Sequence, residues 1–162
     1  MRVDENLYAM AKKLGRAAMA RGALICTAES CTGGLVAAAI TAVAGSSDWF
    51  DRGFVTYSNQ AKIDDLGVSP QTIERFGAVS VETAEEMARG ARGAGRAHWA
   101  VAVTGIAGPA GGSPAKPVGT VCFAWAGPQE LGSEIRLLEG DRTGIRQEAV
   151  RIALAGLIDR LA

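Results

Sequence analysis

The segment "ALICTAESCTGGLVAAAITAVAG", residues 23–45, indicates the fold class of the chain. Its first six residues are apolar or small, which predicts a short buried strand. A Gly-Gly pair then predicts a turn, and the alanine-rich segment that ends at Gly45 predicts a helix. Ser30 or Thr32 can cap that helix, because both hydroxyls accept hydrogen bonds from backbone N–H groups. The stretch therefore predicts a strand–turn–helix unit whose turn presents polar side chains.

The rest of the chain continues this alternation of strands and helices. Further helices are predicted from about Asp4 to Arg21 and over 69–77, 80–95 and 143–162, with a turn leading into a short helix over 59–67. Further strands are predicted over 50–58, 98–105, 120–127 and 133–140. The expected fold class is α/β: one domain over residues 1–162, built as a three-layer α/β/α sandwich. Because no helix pattern separates the strands 98–105 and 120–127, we expect a mixed sheet with one antiparallel segment.

The composition argues against several classes of protein. The 17 basic and 17 acidic side chains cancel, and no run of like charge marks a surface for nucleic acid or an anionic membrane. The longest apolar run, residues 35–45, is too short to span a bilayer, and acids in the first ten residues do not fit a signal peptide. We therefore expect a soluble cytoplasmic protein. Three cysteines and one histidine favour neither a disulfide framework nor a metal site. No cofactor is expected.

Two side chains in the turn, Ser30 and Cys31, are capable nucleophiles, and each needs a base. The single histidine, His98, begins a predicted strand, a place where packing or surface roles are commoner than catalysis. The other known base for serine is a lysine held neutral by burial or by neighbouring charge. Lys62 and Tyr57 lie at the end of a predicted strand, where ligand groups gather in open α/β sheets.

Structural roles remain as alternatives for all of these residues. Ser30 can be only a helix cap, and Cys31 a small packing residue. Tyr57 and Lys62 can be a core-edge tyrosine and a solvated lysine.

Two further stretches have features of ligand-binding segments. Residues 105–119, "GIAGPAGGSPAKPVG", form a glycine-rich loop of about 15 residues, a length at which irregular loops are usually functional. The loop matches neither the dinucleotide-binding nor the P-loop pattern. Arg142 and Arg146 stand four residues apart near the start of the last helix, where arginine does not favour the helix dipole. A phosphate or carboxylate partner would explain the pair, and a solvated helical face is the alternative.

Four long stretches follow one another along the chain: "TAESCTGGLVAAAIT" (27–41), "GSSDWFDRGFVTYSNQAKIDDLGV" (45–68), "GAVSVETAEEMARGAR" (77–92) and "AVTGIAGPAGGSPAKPVGTV" (102–121). Together they resemble the CinA C-terminal domain, the nicotinamide mononucleotide deamidase family. The resemblance covers almost the whole chain, up to "GDRTGIRQEAV", and implies the stand-alone form of the domain. It implies a metal-free amidohydrolase that converts nicotinamide mononucleotide to nicotinate mononucleotide and ammonia in pyridine-nucleotide recycling.

The resemblance also implies roles for individual residues. Ser30 would be the nucleophile, Lys62 the base and Tyr57 the partner of the base. The substrate would be bound by backbone donors, by residues that line the pocket, and by side chains that make the pocket polar or bind phosphate. The implied backbone donors are Thr32, Gly33 and Gly34, and the implied lining residues are Thr104 and Gly105. The implied polar or phosphate-binding side chains are Ser46, Asn59, Arg142 and Arg146. The implied reaction is acyl transfer, in which helix N-terminal amides stabilise the oxyanion.

Two other functions use the same residues differently. A non-catalytic nucleotide-binding or regulatory module would need the glycine turns and the arginines but neither Ser30 nor Lys62. An amidase for another carboxamide, such as nicotinamide, would need neither Arg142 nor Arg146. The alanine- and glycine-rich helix faces permit close subunit packing, and a homo-oligomer is expected.

Overall fold

The computed structural model describes residues 3–162; residues 1 and 2, where the stretch that argues against a signal peptide begins, lie outside them. The helices are α1 (Glu5–Ala20), α2 (Leu35–Thr41), α3 (Asn59–Leu66), α4 (Pro70–Phe76), α5 (Val81–Ala94) and α6 (Arg142–Leu161), with a 3-10 turn over Ser46–Asp48. The strands are β1 (Ile25–Glu29), β2 (Phe50–Val55), β3 (Trp99–Gly105), β4 (Thr120–Ala126) and β5 (Leu131–Leu137). Within residues 3–162, no helix is long and apolar enough to cross a membrane.

The five strands form one sheet in the order β2-β1-β3-β4-β5. Strand β1 is parallel to both β2 and β3, whereas β4 is antiparallel to both β3 and β5. Only β4 among these strands therefore runs against the others, and the predicted mixed sheet is confirmed. The β3–β4 connection, residues 106–119, contains neither helix nor strand, as the glycine-rich sequence indicates.

Helices cover both faces of the sheet and complete the three predicted layers. On one face, Val101, Val103 and Phe123 join a core that includes residues of α1, α2 and α6. On the other face, small side chains such as Ala102 and Ala124 pack against α5. Because both faces are covered, β3 and β4 are buried along almost their whole length, which explains why their sequences are continuously apolar.

Helix α2 differs from its prediction in both length and cap. It ends at Thr41 and not at Gly45, and its N-cap residue is Gly34, which has a φ of 98° and no side chain to accept a hydrogen bond. Neither Ser30 nor Thr32 caps it. The carboxylate of Glu29 does so instead: its oxygens accept hydrogen bonds from the N–H groups of Val36, at 2.8 Å, and Ala37, at 3.0 Å.

Candidate active site

Ser30 lies directly after β1, at the carboxyl end of the parallel part of the sheet. Its N–H donates to the carbonyl oxygen of Val103 over 2.9 Å, which continues the pairing of β1 with β3 by one residue. The residue is 8% exposed. Ligands of open α/β sheets bind beyond the carboxyl ends of parallel strands, so the predicted nucleophile occupies a position where substrate can reach it.

Lys62 reaches Ser30 from α3. Ser58 caps this helix, since its Oγ accepts a hydrogen bond from the N–H of Ala61 over 3.0 Å. The cap places Lys62 in the first turn, and its Nζ donates to Oγ of Ser30 over 3.1 Å and to the carbonyl oxygen of Thr56 over 2.9 Å. The two residues that the sequence predicted as base and nucleophile are therefore in direct contact.

The surroundings of Lys62 favour its neutral form. The side chain is 1% exposed, and burial lowers the pKa of its amine below the ordinary value for lysine. Among residues 3–162, no carboxylate forms an ion pair with it. A buried amine without a counter-ion loses its proton more readily, and a shift in this direction is the one that a general base requires.

A cleft of about 280 Å³ opens beside this pair. It collects seven of the predicted site residues: Ser30, Tyr57, Asn59, Lys62, Thr104, Gly105 and Arg142. The start of the β3–β4 connection forms another part of the wall, with Ala78 and Val79 nearby. Thr104 is anchored there, because its Oγ1 donates to the carbonyl oxygen of Ala78 over 2.8 Å.

Arg142 and Tyr57 meet at the mouth of the cleft. The guanidinium of Arg142 donates to the hydroxyl of Tyr57 over 3.2 Å and to the carbonyl oxygen of Gly108 over 2.7 Å. Tyr57 is 62% exposed, and within the described residues no hydrogen bond joins it to Lys62. Its observed partner is thus the arginine, and its predicted role beside the base stays a prediction.

Five predicted site residues do not line the cleft: Thr32, Gly33, Gly34, Ser46 and Arg146. The N–H of Gly33 donates to the carbonyl oxygen of Ser30 over 3.0 Å, which closes the turn. Arg146 supports the same turn, because its guanidinium donates to the carbonyl oxygens of Cys31, at 3.0 Å, and Thr32, at 3.3 Å. Ser46 is buried in the 3-10 turn.

Glu29 is a site residue that the sequence analysis missed. It is buried next to Ser30, and besides its two bonds to the first turn of α2 it accepts a hydrogen bond from Oγ1 of Thr27 over 3.3 Å. The amides at the start of α2 are therefore occupied by a carboxylate of the protein itself. The signal was present in the sequence: an acid that ends a buried apolar strand needs hydrogen-bond donors close by.

Cys31 and His98, the two side chains that the sequence disfavoured as catalysts, differ in location: Cys31 lines the cleft, whereas His98 does not. Cys31 is buried, and burial raises the pKa of its thiol to about 12. Nδ1 of His98 accepts a hydrogen bond from the N–H of Leu24 over 2.9 Å, at the start of the sheet and away from the cleft. In the described part of the chain, no three His, Cys, Asp or Glu side chains are grouped to hold a metal ion.

Comparisons with known proteins identify the family of the chain. The family model described as "CinA C-terminal domain" matches residues 7–161. Nicotinamide-nucleotide amidohydrolase PncC of Escherichia coli strain K12 is 52% identical over 155 residues, covering 95% of this chain and 94% of that protein. The PncC protein of Pseudomonas putida is 52% identical over 154 residues, covering 95% and 96%. The crystal structure of competence/damage inducible protein CihA from Agrobacterium tumefaciens superposes with a TM-score of 0.94, at 48% identity and 98% coverage of both chains. The chain belongs to the CinA C-terminal domain family.

Proposed function

We propose that this protein hydrolyses the carboxamide of nicotinamide mononucleotide to nicotinate mononucleotide and ammonia, with Ser30 as nucleophile and Lys62 as general base. The observation that carries the proposal is the 3.1 Å contact between Nζ of Lys62 and Oγ of Ser30 at the wall of a cleft. The printed names of the E. coli and P. putida relatives support the class of reaction and the substrate. The product would return to pyridine-nucleotide recycling.

The first half of the reaction uses Lys62 as a base. Neutral Nζ of Lys62 takes the proton of the Ser30 hydroxyl as Oγ attacks the carboxamide carbon. The tetrahedral intermediate then carries a negative oxygen. The Lys62 ammonium returns the proton to the amide nitrogen, the C–N bond breaks, and ammonia leaves an ester on Ser30. The carbonyl oxygen of Thr56, which accepts a hydrogen bond from Nζ, stabilises the transient ammonium.

The second half repeats these steps with water. Lys62, neutral again, takes a proton from water as the water oxygen attacks the ester carbon. The proton then passes to Oγ of Ser30 as the ester bond breaks, which releases nicotinate mononucleotide and restores the pair. No other base is required, because the same amine serves both halves of the cycle.

The oxyanion needs N–H donors close to Ser30. The first amides of α2 bind Glu29, so a different donor set is required. We assign this role to backbone N–H groups of Cys31, Ala107 and Gly108, three residues that line the cleft and whose N–H groups donate no hydrogen bond within residues 3–162. Donors of this type stabilise developing negative charge by about 3 kcal/mol each.

The ribose phosphate is assigned to the mouth of the cleft. Arg142 supplies a guanidinium that can bind phosphate through two parallel N–H groups, and Tyr57 holds it in place. Asn59 adds a polar side chain to the same cleft. A free carboxamide such as nicotinamide lacks the phosphate, so this arrangement favours binding of the nucleotide over binding of nicotinamide.

The test is an assay of ammonia release. Purified protein is incubated with nicotinamide mononucleotide and, separately, with nicotinamide; we expect ammonia from the nucleotide. Ser30→Ala and Lys62→Ala should abolish release, whereas Ser47→Ala and Lys13→Ala, which change exposed residues outside the cleft, should not. Absence of ammonia from both substrates would refute the enzyme assignment and favour a nucleotide-binding module. Ammonia from nicotinamide alone would contradict the substrate.

A trapping experiment tests the covalent step separately. Hydroxylamine competes with water for an acyl ester, so its addition should divert the product to a hydroxamate. Rapid-quench mass spectrometry should then find the acyl group on the peptide that contains Ser30. Activity with neither hydroxamate nor modified peptide would leave the deamidase function but exclude the serine mechanism.

A further inference from the structure

Strand β5 is an outer strand of the sheet, and only one of its edges is paired. The N–H of Leu138 donates to the carbonyl oxygen of Gly119, and the N–H of Gly127 donates to that of Glu130, both over 2.8 Å. Backbone groups of successive strand residues point to opposite edges, so the even-numbered residues of this segment bond to β4. In the described chain, outward and unpaired N–H and C=O groups therefore belong to the odd-numbered residues: Leu131, Ser133, Ile135 and Leu137.

The unpaired edge also exposes large apolar side chains. Ile135 is 57% exposed and Leu137 is 65% exposed. Both lie on the face of the sheet that α5 covers, since Ser133 on that face donates to a carboxylate oxygen of Glu85 in α5 over 2.6 Å. The helix reaches Ser133 but leaves the two residues beyond it uncovered. Proteins normally shorten, charge or cover such an edge, because it can pair with another strand.

The charges beside Ile135 favour a copy of the same strand as the partner. Glu134 and Arg136 flank Ile135 and lie on the opposite face, next to each other. We propose that two copies of this chain pair β5 with β5 in antiparallel orientation around a twofold axis through Ile135. The two five-stranded sheets then form one continuous sheet of ten strands.

The proposed register satisfies both the backbone and the side chains. Ile135 pairs with the Ile135 of the second copy, and Ser133 pairs with its Leu137, so the outward groups face each other as hydrogen-bonded pairs. Glu134 of each copy faces Arg136 of the other, which gives two cross-strand ion pairs. Exposed apolar surface of Ile135 and Leu137 is covered on the α5 face.

The neighbouring registers are disfavoured by charge. Moving the axis by one residue toward the N-terminus places Glu134 opposite Glu134 of the second copy. Moving it by one residue in the other direction places Arg136 opposite Arg136. Like charges directly opposite each other destabilise paired strands, so the sequence selects the axis at Ile135.

The interface is remote from the cleft, and this inference does not rest on the proposed function. None of the residues of β5 lines the cleft, and β3 and β4 separate β5 from β1. Each copy therefore keeps a complete cleft of its own. Loss of the dimer should leave ammonia release unchanged.

The first test is the mass of the protein in solution, measured by analytical ultracentrifugation over a range of concentrations. We expect twice the 16.7 kDa of one chain. Arg136→Glu places two pairs of glutamates face to face and should weaken dimerisation by roughly tenfold or more. The double variant Glu134→Arg/Arg136→Glu restores opposite charges across the axis and should restore the dimer. A monomeric wild type, or an assembly that Arg136→Glu leaves intact, would overturn the proposal.

A cross-linking test fixes the register. Glu134 and the facing Arg136 form a non-hydrogen-bonded pair with Cα atoms about 4.5 Å apart, a separation that a disulfide can bridge. Mixing Glu134→Cys protein with Arg136→Cys protein under oxidation should give a covalent dimer, whereas neither variant alone should do so. The three native cysteines are buried and should not interfere. Cross-linking of one variant alone, or none in the mixture, would exclude this register.

Discussion

Ser30 lies next to two buried charged residues, Glu29 and Lys62, whose surroundings differ. Glu29 lies on the helix side, where two N–H groups of α2 and the hydroxyl of Thr27 satisfy its carboxylate. Lys62 lies on the cleft side with no counter-ion in the described chain, and its partners are the carbonyl oxygens of Thr56 and Ser58 and the hydroxyl of the nucleophile. Glu29 therefore acts as a support, whereas burial without a counter-ion lowers the pKa of Lys62 and makes its proton easier to exchange.

The largest effect is expected from Lys62→Arg. Arginine keeps the positive charge but does not deprotonate in proteins, so it cannot take the Ser30 proton. We expect kcat/KM for the nucleotide to fall by about 10²–10⁴-fold. Lys62→Met, which removes the charge, should give a similar loss. Near-normal activity of either variant would show that Lys62 is not the base.

Removal of the Glu29 carboxylate should chiefly lower the free energy of unfolding. Glu29→Ala leaves the N–H groups of Val36 and Ala37 without their acceptor, at a cost of about 2 kcal/mol in the free energy of unfolding. Urea denaturation measures this. Glu29→Gln keeps one acceptor oxygen and should lose less. Glu148→Ala removes a half-buried surface carboxylate paired with Arg151 and should stay within about 0.5 kcal/mol of wild type. Equal stability of Glu29→Ala and Glu148→Ala would contradict the supporting role.

Arg142 and Arg146, both near the start of α6, extend the comparison to substrate binding. Arg142 lines the cleft, so Arg142→Ala should raise KM for the nucleotide about tenfold or more through loss of a charge-assisted bond. Arg146 holds the turn after Ser30 and does not line the cleft, so Arg146→Ala should lower kcat and stability more than it raises KM. Steady-state kinetics of both variants separate these outcomes. The reverse pattern would place the phosphate at Arg146.

The smallest expected effect is the pH dependence of activity and of stability that Lys62 causes. Only neutral Lys62 can act as the base, so kcat/KM should rise with pH and level off below the usual lysine pKa of about 10.4. The unfolded chain binds this proton more tightly than the folded chain. The contribution of Lys62 to stability is therefore full above the usual lysine pKa and falls as pH drops below it. Lys62→Met should remove that part of the pH dependence, as measured by urea denaturation at several pH values. Identical stability profiles of variant and wild type would count against a lowered lysine pKa.

The sheet was predictable because β3 and β4 are buried on both faces and therefore read as continuous apolar runs. The cap of α2 was not, because Ser30 and Thr32 are frequent cap residues and Glu29 is seven residues before its partner Val36. The chemical types in the cleft could be read from the sequence, but the contact between Ser30 and Lys62 joins residues 32 positions apart. Arg142 and Arg146 are alike in sequence; only the packing of α6 separates one that faces the cleft from one that faces the turn.

The buried state of Cys31 has a consequence for the choice of covalent inhibitors. Burial raises the pKa of this thiol to about 12, which disfavours the reactive thiolate near neutral pH, and Cys31 is only 6% exposed although it lines the cleft. Alkylating agents directed at cysteine should therefore spare the protein, although the thiol is next to the proposed nucleophile. Boronic acids, whose adduct with a serine oxygen is tetrahedral and anionic, are the reagents whose shape and charge match Ser30 and its neighbouring amine.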